Sequence, residues 1–168
     1  MKVLMNERLK TFFKYLGGTV LTLLIIYLVC FAVFLAATHP TRAQEKTSKD
    51  IALSKTPIVN VQRQYHLSRD VVSDSLEGTD KKGKKYYFVY LPKNKKAYLY
   101  QASKGLSRSQ AIARFNNLHL GHDNLKVEFG WYKDKPVWEI SYKKDNGNYG
   151  YAIISFKTGR ELFYVDNI

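Results

Sequence analysis

The stretch "TVLTLLIIYLVCFAVFLAA", Thr19 to Ala37, runs for 19 positions without a charged side chain. A helix of that length rises about 28 Å, close to the roughly 30 Å of a hydrocarbon core. The alternative is a cleaved secretory leader, whose apolar centre usually spans about 7–15 residues. This run is longer, and no clean small-x-small site follows it. Ala36-Ala37-Thr38 is the nearest, with Pro40 just beyond. Cys30 sits between bulky Val29 and Phe31, which excludes a lipoprotein-type lipid attachment. The expected layout is a short cytoplasmic leader over 1–16 and a single-pass transmembrane anchor over 17–38. Lys2, Arg8, Lys10 and Lys14 precede the anchor against one acid, Glu7, while Arg42, Lys46 and Lys49 follow it. The positive-inside bias favours a cytoplasmic N-terminus in the cell membrane, with the bulk of the chain extracytoplasmic.

Beyond the anchor the charge is lopsided. From Thr38 onward there are 23 Lys+Arg and 13 Asp+Glu, a net of +10. Such a surface is drawn to anionic partners: lipid headgroups, anionic wall polymer, or an acidic protein. Lys81, Lys82, Lys84, Lys85, Lys93, Lys95 and Lys96 bracket one hairpin and are the candidate anionic-surface contact. "KGKKYYFVY", residues 82–90, has the outline of an RNA-recognition strand, but two lysines stand where that motif wants an aromatic and a small residue. It reads as a solvated turn before a packed strand, and no nucleic-acid partner is expected. The single cysteine, Cys30, lies within the apolar run, so core packing, not a disulfide, must hold the outer part together.

That outer part reads as one unit used twice. In the second copy Ser107 and Gln110 form a capping box, and Ala111, Ile112, Phe115 and Leu118 make a helical apolar stripe ending near Gly121. Four strands are predicted over 125–132, 135–143, 148–156 and 161–165, joined by Lys133-Asp134, Asp145-Asn146-Gly147 and Lys157-Thr158-Gly159. A shift of 64 positions lays Gly83 on Gly147, Asp70 on Asp134, Tyr87 on Tyr151, Lys93 on Lys157 and Tyr100 on Tyr164. The helix at 107–118 then maps onto 43–54. Each copy is predicted to be a helix on an antiparallel sheet, an α+β arrangement, with Trp131, Tyr132, Trp138, Tyr142, Tyr149 and Tyr151 as core and cross-strand material.

Lys157-Thr158-Gly159 has the letters that close the active site of penicillin-binding proteins and class A β-lactamases. Such an enzyme also needs a serine with a lysine three residues on, at a helix start well upstream. Ser141 to Lys144 has the spacing but falls in a predicted strand, and no Ser-x-Asn intervenes. The tripeptide reads as a hairpin corner. His119 and His122 have metal-like spacing without further ligands, so His119 is assigned to a helix end. Asp74, Glu77 and Asp80 read as charge balance beside lysines, not as an acid/base pair. No catalytic residue, cofactor or metal site is expected, and the chain is not expected to be an enzyme.

"GTDKKGKKYYFVYLPKNKKAYLY" followed by "GLSRSQAIARF", behind an apolar anchor and a helix, resembles the TseB-like family of Gram-positive cell-wall elongation regulators. "PVWEISYKKDNGNYGYAIISFKTGRELFYV" is similar to the PepSY-like second unit of those proteins. The similarity covers most of residues 40–168 and rests on order and spacing, so no site residue is carried over. It implies two tandem cystatin-like or PepSY-like domains, 39–103 and 104–168, on the outer face of the membrane. It also implies a partner, a penicillin-binding transpeptidase of the elongation machinery. PepSY-type domains elsewhere restrain proteases, so regulation of an extracytoplasmic protease is the alternative.

Overall fold

The computed structural model describes the backbone of residues 2–119 and 125–167, and the side chains of 9–35, 46–119 and 125–167. Gly121 and His122 lie outside the described residues. The chain divides into two compact units, Met1–Ala43 and Gln44–Ile168.

The first unit is helical, part of α1 (Lys2–Lys55). Within it Leu9–Leu35 is long and apolar enough to cross a membrane, and none of it is packed against protein. Leu21, Leu23, Leu24, Ile25, Ile26 and Leu28 are distributed around the helix and are all more than half exposed. Its length and composition fit a membrane span. Two of its threonine hydroxyls are satisfied locally: Thr19 Oγ1 donates to the Tyr15 carbonyl and Thr22 Oγ1 to that of Gly18, both at 2.9 Å.

The second unit is α+β. The C-terminal turns of α1 end at Lys55, where Pro57 disfavours a helical Thr56 and the Thr56 hydroxyl back-bonds to the Ala52 carbonyl. Two antiparallel four-stranded meanders follow. Strands β1 (Asn60–Ser68), β2 (Val72–Thr79), β3 (Lys85–Leu91) and β4 (Lys96–Gln101) form the first, in that order. A 3-10 turn (Ala102–Lys104) and α2 (Arg108–Leu118) lead to β5 (Lys126–Tyr132), β6 (Lys135–Lys143), β7 (Tyr149–Ser155) and β8 (Glu161–Val165). The capping box forms as expected: Ser107 Oγ accepts from the Gln110 N–H and Gln110 Oε1 from the Ser107 N–H.

The internal repetition is visible in the backbone. β3 and β7 are 64 positions apart at both ends. The turn before β3, with Asp80 N–H to Lys84 O and Gly83 N–H to Asp80 O, recurs before β7 as Lys144 to Asn148 and Gly147 to Lys144. Gly83 and Gly147 share positive φ, +79° and +88°, which glycine adopts without steric cost. The overlay fails at the last strand. β4 pairs with β3 without a break, Leu99 opposite Phe88 and Tyr100 opposite Tyr87. In β8, Ile154 faces Glu161 but Ile153 faces Phe163, leaving Leu162 as an extra residue. Phe163 therefore lies on the face opposite to that of Leu99, and Tyr164 does not occupy the place of Tyr100.

The main core is shared between the halves. Tyr65, Tyr87, Val89 and Leu91 of the first sheet pack with Phe129, Trp131, Trp138, Ile140 and Phe156 of the second and with Ala111 and Phe115 of α2. A smaller cluster, Ala52, Ile58, Leu76, Tyr86 and Phe88, joins the end of α1 to the other face of the first sheet. Two expected core residues stand outside: Tyr149 is 54% exposed and Leu118 43%.

The arch between β1 and β2 reaches onto the second sheet. Leu67 packs on Val137 and Ile153, and the Ser73 hydroxyl takes the Trp131 N–H at 3.1 Å. Asp70 accepts from the Lys133 N–H at 2.9 Å. Arg69 forks onto the Glu139 carboxylate and lays its guanidinium 3.9 Å from the centre of the Tyr151 ring. Gly130 lets β5 come this close, because a Cβ there would meet Leu67 Cβ at 2.6 Å.

Candidate functional site: a basic cleft astride the last hairpin

Lys157-Thr158-Gly159 forms the β7–β8 corner. Gly159, at φ +68°, donates its N–H to the Ser155 carbonyl at 2.9 Å, and the Arg160 carbonyl accepts from the Ser155 N–H. Ser141 is remote from this corner. It sits opposite Tyr151, whereas Ser155 sits opposite Val137, four residues along β6 and so roughly 13 Å away. Lys144 is held at 2.8 Å by Asp166. The serine, its lysine and the tripeptide make no acyl-transfer constellation.

The corner is instead the saddle between two open depressions. One, of about 700 Å³, is lined by Lys104, Leu106, Gln110, Ala113, Arg114 and Asn117 together with the corner itself. The other, of about 420 Å³, is lined by Tyr100, Asp134, Lys135, Pro136, Arg160 and Leu162, again with Lys157 and Thr158. Three backbone anchors fix the walls. The Trp138 indole N–H donates to the Leu106 carbonyl at 2.9 Å, the Leu106 N–H to the Phe156 carbonyl at 2.8 Å, and Arg114 Nε to the Gly159 carbonyl at 3.1 Å. Gly105 is required at the hinge of the wall, since a Cβ would lie 2.5 Å from the Phe156 ring and carbonyl. Lys157 Nζ stands 5.8 Å from the centre of the Tyr100 ring.

The seven lysines divide into two groups. Lys81, Lys82, Lys84 and Lys85 ring the β2–β3 turn, and Lys93, Lys95 and Lys96 the β3–β4 turn, at opposite ends of β3. All seven are exposed. A seven-residue strand is roughly 20 Å long. That exceeds the screening length of about 8 Å at physiological salt, so the groups act as two patches, not one. Asp80 organises the first by accepting the Lys82 and Lys84 N–H groups at 2.8 and 2.9 Å. Glu77 meets Lys85 at 3.7 Å.

Asp74 departs from the surface role expected of it. Its side chain is 2% exposed and Oδ1 lies 2.7 Å from His66 Nδ1. Buried Ser48 is also near, but its hydroxyl donates to the Asp74 main-chain carbonyl at 3.1 Å and not to the imidazole. The three residue types of a hydrolase relay thus meet without the serine–histidine bond that a relay requires. This juxtaposition joins α1 to β1 and β2, which no local pattern announces. His119 caps α2 as expected and adds more: its ring stacks on Tyr164, centroids 3.7 Å apart, and Nε2 bonds Glu161. Among the described residues no group of three His, Cys, Asp or Glu could hold a metal ion.

Fold and site define a class: an apolar N-terminal helix followed by a doubled helix-and-meander unit that presents basic surfaces, without an assembled catalytic constellation among the described residues. Two proteins of Bacillus subtilis are similar to this chain. The chain is 30% identical over 89 residues to the probable cell wall elongation regulator TseB of strain 168, covering 52% of this chain and 55% of that protein. The chain therefore spans about half the length of the curated relative it matches. The solved structure of the YpmB protein superposes with a TM-score of 0.62 at 23% identity, covering 71% of this chain and 94% of that one, which establishes the shared fold. No family model matches the chain. The resemblance to TseB-like proteins and the α+β reading are both borne out.

Proposed function

We propose that this protein is a membrane-anchored, non-catalytic regulator of cell-wall elongation that binds a penicillin-binding transpeptidase on the outer face of the membrane. The observation that carries the reading is the similarity to a cell wall elongation regulator. The apolar helix supports an anchor, and the cations before it support a cytoplasmic N-terminus. In this reading residues 1–16 are the leader, 17–38 the anchor, and 39–103 and 104–168 the two repeats. Confinement to one membrane raises the effective concentration of both proteins, so a weak contact suffices for regulation. The two lysine patches add a salt-sensitive attraction to anionic wall polymer or lipid headgroups.

The test is affinity purification of the full chain from detergent-solubilised membranes, followed by probing for penicillin-binding proteins with a labelled β-lactam. Recovery should survive exchange of residues 17–38 for an unrelated membrane helix. Loss of recovery on that exchange would move the contact into the bilayer and refute binding by the outer unit.

A further inference from the structure

We infer that the two depressions astride the β7–β8 corner form one binding groove for an extended, acidic segment of a partner polypeptide. Lys104, Arg114, Lys135, Lys157 and Arg160 converge there, against Asp134 as the one carboxylate in the lining. Among the described residues none of the five is in an ion pair, whereas Arg69, Lys85, Lys126 and Lys144 each have a carboxylate partner. In a fold already carrying excess positive charge, gathering unpaired cations in a concave site raises self-repulsion that an anionic ligand relieves.

The shape selects the kind of anion. A small ion would fill one depression, whereas a chain crossing the Lys157-Thr158 saddle contacts both. The lining mixes these cations with apolar surface from Leu106, Pro136, Tyr100 and Leu162. Alternating side chains of an extended peptide can answer both kinds of surface, carboxylates to the cations and aliphatic groups to the apolar floor. A phosphodiester polymer would leave that floor unused. Arg114 and Arg160 supply the planar forks that suit carboxylates, and Arg114 is already oriented by Gly159. The walls are fixed by the Trp138–Leu106–Phe156 hydrogen bonds, so little ordering is left for the ligand to impose. This inference does not depend on which enzyme the protein regulates.

The experiment uses the full chain in nanodiscs of zwitterionic phosphatidylcholine. A fluorescein-labelled octapeptide of alternating glutamate and valine is titrated and followed by anisotropy. Inorganic polyphosphate and phosphatidylglycerol vesicles serve as competitors. Saturable binding is expected, with K157E/R160E weakening it about tenfold or more. K49E/K143E makes the same change in net charge away from the groove and should weaken binding less than about twofold by the same reckoning. K157A/R160A gives a milder loss in the same direction and guards against misfolding, checked by circular dichroism. Equal losses from both reversals would show bulk charge and overturn the site. No saturation would overturn it as well. Polyphosphate or vesicles that displace the peptide from the wild type at lower charge concentration, and lose that advantage in K157E/R160E, would reassign the groove to phosphate and refute the peptide reading.

Discussion

Arg69 is the point at which the first sheet is fastened to the outer face of the second, and its removal should be costly. Arg69→Ala strands the Glu139 carboxylate, whose side chain is 9% exposed. Breaking a buried pair from one side costs about 3–5 kcal/mol. Arg69 itself is 31% exposed, so solvent screening brings this pair to about 2–3 kcal/mol. Loss of the guanidinium over Tyr151 adds roughly 0.5–1 kcal/mol. A total near 3 kcal/mol corresponds to a fall in Tm of roughly 10 °C for a fold of this size. The two tryptophans, Trp131 and Trp138, are both in the shared core, so intrinsic fluorescence during thermal unfolding of the nanodisc-held chain reads the event directly. R69M/E139M removes both charges and should recover most of the loss, because no stranded carboxylate remains. A loss below about 1 kcal/mol in R69A, or a double variant as unstable as the sum of the singles, would refute the reasoning.

Gly105→Ala should destabilise by about 1–3 kcal/mol in the same assay, since the added methyl meets the Phe156 ring and carbonyl and the wall must shift. The Lys144 ammonium and the Tyr142 hydroxyl hold the Asp166 carboxyl below its ordinary range. Its folded pKa is therefore depressed, and its stabilisation is present above the ordinary carboxylate value and lost as pH falls through the lower folded one. Asp166→Asn should flatten that acid limb of Tm against pH while leaving the alkaline limb in place. Burial, with the nearby Glu77 charge, pushes the Tyr87 phenol up to about 12. Its contribution is full below the ordinary value of 10.0 and fades as pH rises toward 12, so Tyr87→Phe should soften the alkaline limb.

Much of this fold was legible because its signals are local. Period-two alternation marks β6 from Lys135 to Lys143, and the Ser107–Gln110 pair marks the start of α2. The 64-residue offset was legible because turns need particular backbone angles, which keep Gly83 and Gly147 in step. The shared core was not, since alternation tells which residues point away from water but not which sheet they meet. Tyr87 and Phe129, whose ring centres lie 4.6 Å apart, come from different repeats. The basic cleft has no local signal for a similar reason. Lys104, Arg114, Lys135, Lys157 and Arg160 are scattered over 57 positions, and only the packing of the 3-10 turn and α2 beside the last hairpin brings them together. The lysines at 81–96 are close in sequence, yet the length of β3 separates them into two patches.

The single surplus residue at Leu162 gives this doubled molecule its asymmetry. By advancing the final strand one step, it hands the terminal tyrosine to the interior and a phenylalanine to the exterior, without altering what precedes it. Two halves built on one pattern thus present different outward residues, and counting from one half to the other would assign the closing residues to the wrong side.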